Sequence, residues 1–261
     1  LIASYTDRDQ LLEALFRVQN AGVASAGYVL LPTTYAAHFF TLNNETARKL
    51  MKFLPPYNIM AFFEGTLRKV NYEEQIFKRI VIETQGSILN LVKIAKLMGG
   101  AEMGIDTKQI EAGLVDQSNF ISAVVRIMRF KGALGITLFL HNINDSFKLF
   151  DKYERICKKY GYKEFTTSYI QPIDDYHYAF IEMDVIYDQG QPADRDLAKK
   201  IISEINKALI SDKDGLNYYE SVSGMTGKMI VPNFGIYYNL LKKFKTILDP
   251  NNVMNPGVYL T

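Results

Sequence analysis

Three imidazoles are available for proton chemistry near neutral pH in this 261-residue sequence: His38, His141 and His177. An imidazole of pKa ~6.5 can accept a hydroxyl proton or ligate a metal. No two of them fall within one helical turn, so a metal-binding helix is excluded and only a site assembled from several strands is left. His177 admits two readings. It can be a general base, or a satisfied core histidine, since alternation places it with Ala179 and Ile181. Cys157 is the single cysteine, which excludes both a disulfide framework and a cysteine-built zinc site. Lys228, Arg126 and Arg129 are candidates to hold a carboxylate, with surface solvation as the alternative. Lys242-Lys243-Phe244-Lys245 reads as the wet face of a helix. No GxGxxG, P-loop, HExxH or Gly-flanked nucleophilic serine occurs.

The background against which these residues sit is ordinary. Hydrophobic residues make up 48% and charged residues 22%, a globular balance with enough chain for a substantial core. A formal net charge of +2 argues against a nucleic-acid partner. Apolar runs are broken by Lys, Arg or Gly well before the ~18 residues a membrane span needs. Asp7, Arg8 and Asp9 interrupt any signal-peptide pattern, and a cytoplasmic location is expected. The chain opens at Leu1 without a methionine, which reads as a processed product, a fragment or an excised domain. Tyr (17) and Phe (16) are abundant while Trp is absent, and Tyr can line a pocket with its polar tip.

The elements that must position these residues follow from periodicity. Leu1–Tyr5 reads as a strand. Asp7, with Gln10 three residues on, caps a helix whose Leu11, Leu12, Leu15 and Phe16 share a face and which Gly22 stops. Strands follow at Ala26–Leu31, closed by Pro32, and at Ile59–Leu67, with a helical excursion over 34–56 between them. Asn71 and Glu74 cap the next helix, striped by Ile76, Phe77, Ile80 and Val81. A second set repeats the order. Leu134–Leu140 is a strand, and Asp145 or Ser146 opens a helix with Phe147, Phe150, Tyr153, Ile156 and Cys157 inward. Strands at Phe165–Ile173 and His177–Tyr187 turn at Asp174-Asp175, and a helix after Asp194 buries Leu197, Ile201, Ile202, Ile205 and Leu209. In the second of these strands Glu182 and Asp184 mark the wetter face. A weaker strand falls near Tyr218–Val222. Each half reads strand–helix–strand–strand–helix, the split βαβ plan. The expected fold is α+β: an antiparallel sheet from two ferredoxin-like halves, about 1–86 and 132–222, with helices on one face. A helical connector spans 87–131. The unit 1–232 forms one domain and 233–261 a separate helix and tail.

That tail is the most specific stretch. A helix over Tyr237–Leu248 runs into Asp249-Pro250-Asn251-Asn252-Val253-Met254-Asn255-Pro256-Gly257. A residue before proline avoids the α region, so Asp249 ends the helix, and Asn251-Asn252 and Pro256-Gly257 suit two tight turns. This closing motif resembles the C-terminal signature of FAD-linked oxidases of the vanillyl-alcohol oxidase/p-cresol methylhydroxylase superfamily. It is most similar to the glycolate oxidase and D-lactate dehydrogenase branch. The strand and helix of Leu1–Gly22 resemble the start of that family's substrate-binding cap.

The resemblance implies the cap and C-terminal part of an FAD-dependent oxidoreductase. Such a protein oxidises a hydroxylated organic substrate, either a 2-hydroxy acid or an aromatic alcohol, by hydride transfer to flavin. FAD would be held mainly by a domain or subunit absent from this chain, leaving the chain inactive by itself. Tyr169, Gln171, Tyr176 and Tyr178 lie on the hairpin whose family counterpart faces the substrate, joined by Lys228. His177 would take the hydroxyl proton, while Asn251 and Asn255 would approach the cofactor. Some members of that superfamily attach FAD covalently through a cap-domain Tyr or His, for which Tyr176, His177 or Tyr178 would be the counterpart, but a non-covalent flavin is the expectation here. Metal-dependent hydroxy-acid members carry histidines where this sequence has Gln171 and the histidine-free Ser221–Gly227, so no metal is expected. The implied partners are the FAD-binding polypeptide, a small-molecule substrate and, through an exposed edge or cap face, a second copy. The alternative is a non-catalytic ferredoxin-like ligand-binding or scaffold subunit of a redox complex.

Overall fold

In the computed structural model the described residues are 1–31, 44–52, 54–97, 108, 132–140, 142–164, 166–173, 178–210, 218–220 and 235–256. Strand β1 (Ile2–Tyr5) leads into α1 (Arg8–Asn20), β2 (Ala26–Leu31), α2 (Asn44–Met51) and β3 (Tyr57–Phe62). The first half closes with α3 (Leu67–Glu83) and β4 (Ser87–Leu89), and α4 (Leu91–Leu97) follows. The second half comprises β5 (Gly132–Leu140), α5 (Ile143–Lys159), β6 (Thr167–Ile173), β7 (Tyr178–Tyr187), α6 (Pro192–Ile210) and β8 (Tyr218–Glu220). The final helix is α7 (Gly235–Leu248).

The eight strands among the described residues join one antiparallel sheet in the order β4-β1-β3-β2-β6-β7-β5-β8. Read outward from the middle, each half has the ferredoxin-like order, and the halves meet where β2 pairs with β6. Helices α1 and α3 pack together on the first half, and α5 and α6 on the second. Their apolar stripes and the inward strand positions Ala3, Val29, Ile59, Ile170, Ile181 and Met183 make one continuous core. The expected α+β architecture is therefore present.

Local chemistry sets the element ends. Asp7 accepts from the amides of Asp9 and Gln10 at 2.9 and 3.0 Å and caps α1. Three helices close with the same pair of crossed hydrogen bonds: Val23 to Val18 and Gly22 to Gln19 after α1, Tyr162 to Cys157 and Gly161 to Lys158 after α5, Gly86 to Val81 and Gln85 to Ile82 after α3. The first two put a glycine in the left-handed region that this ending needs; the third puts Gln85 there, at φ 61.

Several expectations shift. Ser87–Leu89 is not the start of a helical connector but strand β4, paired with β1 through Ile2↔Leu89. A three-residue strand carries too little periodicity to be read from sequence. β3 ends at Phe62, and Thr66, accepting from the Lys69 amide, caps α3 where Asn71 was expected to. Asn142 rather than Asp145 or Ser146 caps α5, since its side chain accepts from Asn144 at 2.9 Å. Asp184 is 1% exposed rather than wet, with the Tyr153 hydroxyl donating to its carbonyl. The turn at Asp174-Asp175, His177, residues 34–43 and 53 of the expected excursion, and most of 98–131 lie outside the described residues.

Candidate functional site: the open face of the sheet

The register of β6 and β7 sets Tyr169 opposite Glu182 and Gln171 opposite Phe180. Their neighbours Ile170, Ala179 and Ile181 belong to the core beneath the helices. Side chains alternate along a strand, so Tyr169, Gln171, Phe180 and Glu182 project from the other face. β2 brings Leu30 opposite Tyr169 across the junction of the halves. The rings of Phe62 and Tyr28 meet edge-on at 6.2 Å, as do Tyr28 and Tyr169 at 6.0 Å, while Tyr169 and Phe180 meet tilted at 5.7 Å. Four aromatic rings therefore form a continuous row from β3 to β7. Tyr28 is buried, whereas Tyr169, Gln171, Phe180 and Glu182 are partly open.

The electrostatics of this row are one-sided. Burial, followed by the charge of Glu182 and the hydrogen bond to it, raises the Tyr169 phenol above its ordinary range. None of the eight strands contains Lys or Arg; their charged residues are Glu182, Asp184 and Glu220. The strands thus offer hydroxyl, amide and carboxylate groups set in aromatic surface, and no cation.

The expected site residues divide accordingly. Tyr169 and Gln171 lie in the row. Tyr178 opposes Ile173 on the same face at the start of β7 and is 40% exposed. Tyr176, His177, Lys228, Arg126 and Arg129 lie outside the described residues. Tyr28, Phe180 and Glu182 escaped the sequence reading as site members. The one local signal was the alternation of β7, which puts Glu182 and Phe180 on one side.

Asn251 and Asn255 belong to a separate feature, the ordered turn after α7. Its centre is Asp249, 6% exposed, whose carboxylate accepts from the amides of Val253 and Met254 at 2.9 Å each and from Lys245 Nζ. The Lys245 hydrogen bond, with the two amides behind it, lowers the Asp249 carboxyl below its usual value. Lys245 also reaches the carbonyl of Met254, and the Asn252 amide donates to the Asp249 carbonyl at 3.0 Å. Asn252 and Asn255 occupy the left-handed region at φ 51 and 49, which asparagine tolerates best among residues with a Cβ. Beside this turn Ile236, Leu240, Phe244 and Ile247 form an apolar stripe on α7 at helical spacing, 48–88% exposed, and Val253 and Met254 extend it.

Two clefts lie elsewhere. One of about 410 Å³ sits at the C-terminal end of α1, between Leu15, Val23, Ala61 and Pro172, and none of the described residues that line it is titratable. The other, of about 890 Å³, runs beside β4 between Glu74, Lys78 and Lys93. Among the described residues no three His, Cys, Asp or Glu side chains gather as a metal site, and no helix is long and apolar enough to cross a membrane.

Placed against known proteins, the chain matches no family model and no curated sequence. Its fold has close counterparts among solved structures. It superposes on 4-ethylphenol oxidase from Gulosibacter chungangensis, solved with isoeugenol, with a TM-score of 0.67 at 14% identity, covering 99% of this chain and 53% of that one. For p-cresol methylhydroxylase with substrate bound the values are 0.71, 16%, 98% and 51%. Alkyldihydroxyacetonephosphate synthase gives 0.51, 10%, 98% and 43%. These neighbours are FAD oxidases of the vanillyl-alcohol oxidase/p-cresol methylhydroxylase type, and this chain has the fold of about half of each. The resemblance first carried by the tail thus extends over nearly the whole chain.

Proposed function

We propose that this chain is the substrate-binding cap and C-terminal part of an FAD-dependent oxidoreductase acting on a hydroxylated organic substrate, a 2-hydroxy acid or an aromatic alcohol. The observation that carries this reading is the partial match. The chain spans only about half the length of 4-ethylphenol oxidase and p-cresol methylhydroxylase, and it leaves an apolar helix face uncovered. A stripe of Ile, Leu and Phe on α7 continuing into Val253 and Met254 is a docking surface for another polypeptide. The FAD-binding half is the occupant this reading names.

The residues present fit FAD at its border rather than around its phosphates. No Gly-rich loop follows any strand, so pyrophosphate binding falls to the partner. The exposed amides of Asn251 and Asn255, held on a turn fixed by Asp249, offer donors to the cofactor's edge. When bound, FAD supplies the hydride acceptor. The work of this chain is to orient the substrate and exclude water. Tyr169, Gln171 and Tyr178 contact the substrate from the sheet, His177 receives the hydroxyl proton, and Tyr176 and Lys228 complete the pocket wall.

Co-expression with a candidate FAD-binding polypeptide tests the reading. The expected result is a yellow complex whose flavin is bleached by hydroxylated substrates, with a colourless chain when expressed alone. Leu240→Asp with Phe244→Asp on α7 should abolish co-purification and leave the far-UV circular dichroism intact. A chain that binds small ligands by itself and takes up no flavin-bearing partner would instead be a scaffold or binding module.

A further inference from the structure

The sheet parts where its two halves meet, and the parting opens the cleft at the C-terminal end of α1. We propose that this cleft, on the helix side of the sheet, is a binding site for a small uncharged molecule with an aliphatic body and an N–H, of which a cyclic amide is the simplest example. The site does not depend on the oxidoreductase reading.

Pairing between β2 and β6 runs from Leu31↔Ser168 to Val29↔Ile170 and ends there. Continued in the same register, Gly27 would stand opposite Pro172, and a proline has no N–H to give the ladder. Gly27 itself pairs regularly with Ala61 of β3, so it marks no bulge, and its φ lies outside the left-handed region. Val29, the next inward position, is fully buried, whereas Gly27 is only half-buried. A Cβ on Gly27 would meet nothing nearer than the Met60 carbonyl oxygen at 3.9 Å, so close packing does not demand a glycine. Glycine weakens a strand, and where neither a bulge nor a crowded backbone calls for it, the approach of a ligand does. The space left open is about 410 Å³, within the range of about 300–1,000 Å³ usual for small-molecule pockets.

The lining sets the chemistry of the occupant. Leu15, Val18, Val23, Ile59, Ala61 and Pro172 present aliphatic surface, with Gln19 and Ser25 as polar members. None of the described lining residues carries a charge, so an ion entering would lose water without gaining a counter-charge. A ligand N–H can stand in for the donor that Pro172 lacks. An occupant would touch both halves at once, since β2 and β3 belong to the first and β6 to the second.

The probe is 2-piperidone, with N-methyl-2-piperidone lacking the N–H and piperidinium carrying a charge. On the full chain, 2-piperidone should bind saturably at about millimolar concentration and raise the thermal midpoint. The N-methyl compound should bind about fivefold more weakly and piperidinium about tenfold or more. Methyl NMR of the unaltered protein locates the site without a variant: Val18, Val23 and Ala61 should shift. Gly27→Val places a side chain in the empty space, so it should weaken 2-piperidone at least about tenfold while the midpoint holds or rises. Equal binding of all three probes, shifts confined to other methyls, undiminished binding by Gly27→Val, or no binding at all overturns the proposal. Each of these failures leaves the flavin-partner experiment, which reads a yellow complex, unaffected.

Discussion

Cys157 shows how burial sets reactivity at the scale of one residue. It is 2% exposed on the inner face of α5, and burial, only partly offset by its contact with the Tyr153 hydroxyl, pushes its thiol up to about 12. The thiolate is the reacting species, so labelling by a disulfide reagent at pH 8 should be negligible in the native protein. Its rate in urea should follow the loss of far-UV signal; fast labelling without denaturant would contradict the packing of α5. At this scale the sequence told only part of the story. Cys157 and the inward residues of α5 were legible from helical spacing, and Tyr169 and Gln171 from the family likeness of their hairpin. Tyr28 and Glu182 were not, because what joins them to Tyr169 is strand register, and one of those contacts spans some 140 positions of sequence. Periodicity reports which face a residue takes and is silent about what lies across from it.

Helix endings give the most local predictions among the elements. After α3 the left-handed position is held by Gln85, where α1 and α5 use Gly22 and Gly161. Gln85→Gly should therefore stabilise the protein by about 0.5–1 kcal/mol in urea unfolding, the relief of a strained backbone less the added freedom of the unfolded chain. The next position has the opposite constraint. A Cβ on Gly86 would stand 2.5 Å from the Tyr5 ring, whose hydroxyl bonds Thr84 at 3.1 Å in the core. Gly86→Ala should cost about 1–3 kcal/mol, and a neutral result would mean that the β1–β4 edge yields easily. Long helices and strands were readable because many residues vote for the same face. β4 was hidden because it has only three residues and depends on pairing with β1 for its existence. The caps Thr66 and Asn142 were missed by several residues, since Ser, Thr, Asn and Asp occur repeatedly near helix starts and only geometry chooses among them.

For the whole molecule, the question is what makes two ferredoxin-like halves behave as one. Beyond β2–β6 pairing, Arg8 on α1 reaches across to Asp151 on α5 with a two-pronged pair at 2.6 and 2.8 Å. The same guanidinium donates to the Tyr57 hydroxyl at 3.0 Å and lies over the rings of Tyr57 and Phe147 at 5.5 and 5.1 Å. The pair is more than a third open to solvent, so its electrostatic part is screened, and much of its value lies in fixed planar geometry. Arg8→Ala should lower stability by about 1–2 kcal/mol, and Arg8→Lys should recover little because an ammonium cannot reproduce the fork. A calorimetric transition that splits in two in Arg8→Ala would show that this bridge couples the halves; an unchanged single transition would assign the coupling to β2–β6.

The two outermost strands, β4 and β8, have three residues each, while β7 within the sheet has ten. A growing fibril recruits each new chain through a long row of unpaired backbone donors and acceptors, and strands this brief offer almost none. At the β4 end, where the strand behind it is itself only four residues long, the sheet is thus a poor template for its own polymerisation.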